Sequence, residues 1–236
     1  MPAYWDVENG VFAPFHLKPN GFSEELLQLI SPVAFPEDAT LYFRGSLLEE
    51  ENPHPAADLD LALVSQGLRP NGQLVREIVE SVSALGKQVD LSVMSLDQLK
   101  CSLPMRLLLH TRAVKLHGQE YSLEPVPATM ETVAAHLTAY APSFPPDVFV
   151  ASVRSRVSAL KNLTRCFGCF SFADGGRFTR EISACLRYAD ELDPVMGRHL
   201  RFLWANIEVN KPLDLGPVKV FIAAYASKFR SAIADS

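Results

Sequence analysis

The sequence predicts an α+β fold, a mixed β-sheet domain followed by an all-α helical bundle domain. Three observations point there. Asp58–Val64 and Lys87–Val93 alternate apolar and polar residues with the period of two that marks a half-buried strand. Between them, Leu74–Leu85 places Leu74, Ile78, Val82 and Leu85 at helical spacing. Beyond Pro125, Pro127, Pro142, Pro145 and Pro146, apolar residues recur almost everywhere with helical period. The expected domains are therefore 1–120, with 1–20 as an extended N-terminal arm, and 121–236.

The elements follow in order. The arm carries Tyr4, Trp5, Phe12 and Phe15 and is expected to wrap the body as extended chain. A helix is expected over Ser23–Ile30, with Ser23 as N-cap and Glu24 and Glu25 suiting the first turn. Thr40–Phe43 has strand composition and stops at Gly45-Ser46. A helix over Leu47–Glu51 would point its positive N-terminus at an anion; the plainer alternative is that Ser46-Leu47-Leu48-Glu49 is a capping box, and the two are compatible. Asn52-Pro53-His54-Pro55 is loop, because two prolines two apart cannot continue a helix. Asp58–Val64 sends Leu59, Leu61 and Leu63 to one face and Asp58 and Asp60 to the other. Pro70-Asn71-Gly72 is a turn before the Leu74–Leu85 helix. On Lys87–Val93, Val89, Leu91 and Val93 share one face and Asp90 and Ser92 the other. A helical stretch over Ser95–His110 and a strand over Ala113–Leu116 complete the first domain. In the second, helices are expected near Met130–Tyr140, Asp147–Cys166, Thr179–Leu192, Val195–Val209 and Val218–Ile233.

Composition limits the function classes. The chain has 236 residues, 48% of them hydrophobic, and its 22 Lys+Arg against 27 Asp+Glu give a net charge of -5. Proteins that grip long nucleic acid carry a basic excess, since phosphate contacts dominate that affinity. No stretch reaches the ~20 apolar residues of a membrane span. Met1-Pro2-Ala3-Tyr4-Trp5-Asp6 lacks the charged start and apolar run of a signal peptide, and a cytoplasmic protein is expected. Cys101, Cys166, Cys169 and Cys185 are not a disulfide framework in a chain of this size. Cys166-Phe167-Gly168-Cys169 has neither a second ligand pair nor a βαβ context, and reads as incidental thiols near the end of an apolar helix.

The chemistry concentrates at three aspartates. Carboxylates at i and i+2 on a strand project from one face, and their mutual repulsion calls for a cation between them. A hard divalent ion such as Mg²⁺ prefers carboxylate oxygens together with substrate phosphates. Asp58 and Asp60 are such a pair, and Asp90 lies on a strand of matching phase. Gly45 at a strand end allows backbone N–H groups to approach phosphate oxygens, and Ser46 adds a hydroxyl.

The order strand, Gly45-Ser46, eleven residues, Asp58-Leu59-Asp60-Leu61-Ala62-Leu63-Val64, helix, Val89-Asp90-Leu91-Ser92-Val93 resembles the DNA polymerase β-like nucleotidyltransferase superfamily over roughly residues 22–118. The resemblance implies that Gly45 and Ser46 cradle a nucleoside triphosphate. It implies that Asp58, Asp60 and Asp90 are catalytic, holding two Mg²⁺ ions, with Asp90 also helping to deprotonate the acceptor hydroxyl. Ala57 departs from the serine many members carry there, and Leu47-Leu48-Glu49-Glu50-Glu51 departs from a run that often includes Arg and Gly. In the helical half, Arg154, Ser158, Lys161 and Arg165 share one face. A solvated face is the simpler reading of that stripe, and Lys161 is the member put forward as a nucleotide-binding residue. Arg112 and His117 have the spacing of a ribonuclease Arg-x4-6-His motif but lie on an expected strand, so no ribonuclease is predicted.

The expected function is transfer of a nucleoside monophosphate, AMP foremost, from an NTP, ATP foremost, to a hydroxyl of a small molecule or protein. The layout also resembles antibiotic-adenylating enzymes, which makes an aminoglycoside-like acceptor one option. The expected partners are the triphosphate and that acceptor, without long nucleic acid or membrane, and with a homodimer left open. The alternative is a catalytically weak nucleotide-binding or partner-binding module of antitoxin type, kept in view by Glu49, Glu50 and Glu51.

Overall fold

The N-terminal arm is a hairpin where plain extended chain was expected. In the computed structural model, which describes residues 4–15, 20–49, 57–67, 72–119, 121–140, 153–208 and 213–234, β1 (Val7–Glu8) pairs with β2 (Val11–Phe12). Asn9 (φ 51) and Gly10 (φ 78) both take left-handed backbone, the two-residue turn that suits the twist of paired strands. Next, α1 (Gly21–Ile30) begins earlier than expected. Its cap is Asn20, whose side chain accepts from the Ser23 N–H at 2.9 Å. Ser23 lies inside the first turn, buried, and donates its hydroxyl back to the Asn20 carbonyl at 2.7 Å.

The alternating segments become neighbours in one four-stranded sheet. β3 (Ala39–Arg44) leads into α2 (Ser46–Glu49), and β4 (Leu59–Ser65) into α3 (Gly72–Val82), which a 3₁₀ turn extends over Ser83–Leu85. β5 (Val89–Ser95) follows, then α4 (Leu96–Cys101), α5 (Leu103–Thr111) and β6 (Ala113–His117). The helical stretch expected over Ser95–His110 is thus broken at Ser102, ahead of Pro104 near the start of α5. Sheet order is β5-β4-β3-β6. β3 runs antiparallel to β4 and β6, while β4 and β5 are parallel and need the α3 crossover between them. Asn52–Pro55, Glu50, Glu51 and the Pro70-Asn71 part of the expected turn lie outside the described residues.

Each face of the sheet is buried differently. Leu41 and Phe43 with Leu59, Leu61 and Leu63 pack against Leu26 and Ile30 of α1 and Leu74, Ile78 and Val82 of α3. On the other face Tyr42, Ala62 and Val64 pack with Leu99 of α4 and Leu109 of α5. Burial of this kind, about 25 cal/mol per Å² of apolar surface, is what fixes strand register.

The chain divides into two compact units, Phe12–Val126, and Pro127–Ser236 with the arm up to Val11. The second is all helical apart from the arm: α6 (Met130–Tyr140), α7 (Val153–Gly175), α8 (Ile182–Leu192), α9 (Pro194–Ala205) and α10 (Gly216–Ala234). The α+β expectation of a sheet domain followed by a helical domain holds. α7 runs on to Gly175, so the Cys166–Cys169 segment sits mid-helix and not at a helix end. Gly168 is required there, since a Cβ would stand 1.9 Å from the Thr179 carbonyl oxygen. Trp5 of the arm packs on Phe178, ring centroids 5.0 Å apart, and its N–H donates to the Phe178 carbonyl at 2.9 Å. No helix among the described residues is long and apolar enough to cross a membrane.

Candidate functional site

The site begins where β3 stops. Gly45 turns the chain at φ +87, and its carbonyl accepts from the N–H groups of Leu48 and Glu49, both at 3.0 Å, to start α2. The helix therefore starts at Ser46 itself.

Strand register then gathers the charged residues. Arg44 pairs with Asp60 across β3 and β4, and Asp60 pairs with Asp90 across β4 and β5. Paired residues on neighbouring strands share a face, so Arg44, Asp60 and Asp90 form one row on the α4/α5 side. Tyr42, Ala62 and Ser92 make the next row. Apolar cover on this face starts with Tyr42 and Ala62. Asp90 is exposed, and the Asp60 side chain keeps 24% of its surface.

Asp60 is held from two sides. Arg44 Nη1 stands 3.6 Å from its Oδ1, and Arg44 Nη2 reaches on to Ser92 Oγ at 3.2 Å. From the other side Gly45 comes so close that an added Cβ would lie 2.1 Å from Asp60 Oδ2 and 2.9 Å from its Cβ. The structure thus brings Gly45, Asp60 and Asp90 together. Ser46 opens α2 next to them in sequence, and Asp58, half-buried, immediately precedes β4. The Leu59 N–H donates to the Gln88 carbonyl at 2.8 Å, fixing that end of β4 beside β5. Lys161 lies half-buried on α7, in the second unit.

Two arginines carry interactions that spacing alone did not reveal. Arg44 stands beside the glycine in sequence, but only the β3–β4 register aims it at Asp60. Arg112, at the end of α5, has Nη1 2.7 Å from Glu49 Oε2, with side-chain exposures of 5% and 17%. Its guanidinium also lies 4.2 Å from the Phe15 ring centroid. The first glutamate after the Gly-Ser turn is therefore neutralised by a buried cation. His117 stacks on Phe35 at 4.1 Å, so the Arg112/His117 pair serves two separate packing contacts.

Three of the four thiols are inert by burial. Cys166, Cys169 and Cys185 are free and buried, and Cys101 is free and exposed. Loss of solvation pushes all three buried thiols up, Cys185 to about 12. In the same unit, burial first, then Arg180 and Arg165, lower His136 from 6.5 to about 3.

The residues fit a hard cation by donor type, with Asp60 and Asp90 in register on one face. Among the described residues no group of three or more His, Cys, Asp or Glu side chains is gathered closely enough to hold a metal. Arg44 is a cation that stands beside Asp60.

No family model matches the chain, and no curated protein matches it. Among solved structures, the chain is similar to spectinomycin adenyltransferase AAD(9) from Enterococcus faecialis, solved with ATP and spectinomycin. Identity is 10%, 88% of this chain and 99% of that chain are covered, and the TM-score is 0.51. A mutant of the toxin–antitoxin MntA-HpeT and a toxin–antitoxin with AMP-PNP overlap at 19% and 21% identity. Each covers 42% of this chain and 74% of that chain, with a TM-score of 0.32. At 10% identity the adenyltransferase likeness is one of fold: a sheet domain followed by a helical domain.

Proposed function

We propose that the chain is a nucleotidyltransferase that moves a nucleoside monophosphate, AMP foremost, from an NTP to a hydroxyl of a small molecule or protein. The observation that carries this reading is the Arg44–Asp60–Asp90 row with Gly45 packed against Asp60. A glycine turn and two in-register carboxylates at one sheet end are the parts that phosphoryl chemistry needs: a close backbone approach for phosphate and acids for a cation. The fold likeness to an adenyltransferase solved with ATP and spectinomycin is in keeping with ATP and a small-molecule acceptor.

In this reading Asp58, Asp60 and Asp90, which do not converge in the metal-free chain, would close around Mg²⁺ only as ion and triphosphate bind, and the ion would supply charge stabilisation for an in-line displacement. Gly45 and Ser46 orient the triphosphate. Asp90, which is exposed, would accept the proton of the acceptor hydroxyl in this reading. Attack of that oxygen on the α-phosphorus breaks its bond to the bridging oxygen and releases pyrophosphate.

Pyrophosphate release from each NTP, with Mg²⁺ and a panel of hydroxylated acceptors, tests this. Activity that Asp60→Asn and Asp90→Asn reduce at least 100-fold supports the proposal. The second reading, a nucleotide-binding module without turnover, is favoured by the Arg44–Asp60 pair. Tight NTP binding with no pyrophosphate, indifferent to Asp90→Asn, would select it.

A further inference from the structure

The two edges of the four-stranded sheet are finished differently. Its order, β5-β4-β3-β6, leaves β5 and β6 outermost. β6 carries the exposed Lys115, and its register on β3 shifts between Leu41 and Tyr42. A lysine and an irregular ladder both discourage a further strand. β5 has neither. Its seven residues hold unbroken register with β4 and include no proline and no basic residue. Val89, Leu91 and Val93 stay half-buried at this border.

The phase of the outer hydrogen bonds is fixed by the inner ones. The Leu59 N–H donates to the Gln88 carbonyl, so in this parallel pair Gln88, Asp90, Ser92 and Met94 turn their backbone groups toward β4. Those of Val89, Leu91, Val93 and Ser95 point outward. The Ser95 N–H is taken by Gln98 Oε1 at 3.0 Å. Among the described residues, no helix, loop or further strand takes the outward N–H and C=O groups of Val89, Leu91 and Val93.

These three residues are complementary to their own copies. Antiparallel pairing about a two-fold axis through Leu91, normal to the sheet, sets Leu91 opposite Leu91 and Val89 opposite Val93. All are hydrogen-bonded pairs, so every outward N–H meets a C=O. Aliphatic side chains then meet aliphatic ones on one face. On the other face Asp90 falls opposite Ser92 of the second copy, and not opposite its Asp90. Ser92 is the hydroxyl that Arg44 bonds at 3.2 Å, so each incoming carboxylate arrives near a cation. An axis through Ser92 would instead call on the Ser95 N–H, which Gln98 already occupies.

We infer that β5 is the docking edge for a second copy of this chain, which pairs antiparallel about Leu91 and continues the sheet. Each copy thereby brings its Asp90 to the Arg44–Ser92 contact of the other. The pairing stands whether or not the aspartates carry nucleotidyl transfer.

Sedimentation velocity of the full chain over a concentration series, with amide hydrogen exchange on the same samples, tests the pairing. A monomer–dimer equilibrium is expected. The Val89, Leu91 and Val93 amides should slow by about tenfold as dimer becomes dominant, in proportion to the monomer that remains. The Asp90, Ser92 and Met94 amides, already bonded to β4, should not change. This measurement needs no variant. Val93→Pro removes one outward N–H, leaves the ladder to β4 intact, and should abolish the dimer. In a Cys101→Ser background, Leu91→Cys should oxidise to a covalent dimer, because the paired Cα atoms lie about 5.5 Å apart, within the span of a disulfide. Val93→Cys should not, since its two copies are displaced by roughly 14 Å along the strand. A chain that stays monomeric throughout overturns the inference. So does a dimer that survives Val93→Pro, or one in which the three outward amides exchange at the monomer rate. Linking of Val93→Cys as readily as Leu91→Cys overturns the register about Leu91.

Discussion

Gly45 and Asp60 lie in such close approach that a methyl group on residue 45 would stand 2.1 Å from Asp60 Oδ2. The turn at φ +87 and the carboxylate behind it are therefore one unit of structure. Gly45→Ala adds strain twice: left-handed backbone costs about 1–2 kcal/mol for a residue with a Cβ, and forced repacking about 1–3 kcal/mol more. The expected result is faster amide hydrogen exchange across Ala39–Arg44 together with loss of pyrophosphate release. Wild-type exchange in the alanine variant would show that Asp60 is not held by this contact.

The Glu49–Arg112 pair predicts a strongly non-additive mutant cycle. Removing one partner of a largely buried ion pair leaves the other charge uncompensated and costs about 3–5 kcal/mol. With Glu49 still 17% exposed, the lower end of that range is expected for Arg112→Met. Glu49→Met/Arg112→Met should recover most of the loss in urea unfolding. Additive losses would contradict a shared interaction.

His136 gives the helical unit a pH dependence whose sign is fixed. Its ring Nδ1 lies 3.2 Å from the Tyr140 hydroxyl, and burial, Arg180 and Arg165 hold it neutral down to about 3. Between about 3 and 6.5 the unfolded chain binds a proton that the native ring refuses. Stability is thus fully present above pH 6.5 and falls as pH drops toward 3, by up to about 1.4 kcal/mol per pH unit for one proton. The chain's two tryptophans, Trp5 and Trp204, both belong to this unit, so their fluorescence follows its unfolding. His136→Gln should flatten the slope between pH 6.5 and 5, and an unchanged slope would assign the proton elsewhere.

Thiol labelling separates the four cysteines. Cys101 is exposed while Cys166, Cys169 and Cys185 are buried with raised thiol values, and only thiolate reacts readily. Native protein should release one equivalent of chromophore from Ellman's reagent quickly, and Cys101→Ser none. Fast reaction of a second thiol would mean that the packing of α7 against α8 opens.

Much of this architecture is local and can be read along the chain. Period-two alternation places Leu59, Leu61 and Leu63 opposite Asp60 because successive strand side chains point to opposite faces. Helical period marks α3 and the helical half for the same kind of reason. The Gly45-Ser46 punctuation, with Asp60 and Asp90 in matching phase, is visible before any coordinates.

Boundaries were less legible where local signals compete. Asn20 and Ser23 are both sound caps three residues apart, and the Glu24 N–H bonded to the Asn20 carbonyl starts α1 at the earlier one. Cys166–Cys169 reads along the chain as a helix end, but Gly168 lets α7 continue and pass within reach of the Thr179 carbonyl.

The charge partners belong to folding alone. That Asp60 faces Asp90, that Arg44 stands beside Asp60, and that Glu49 meets Arg112 all follow from pairing between distant segments. Alternation says which face a side chain takes. It is silent on which strand lies next door or how far it slides, because that register is selected by burying Leu41, Phe43, Leu61 and Leu63 together against α1 and α3.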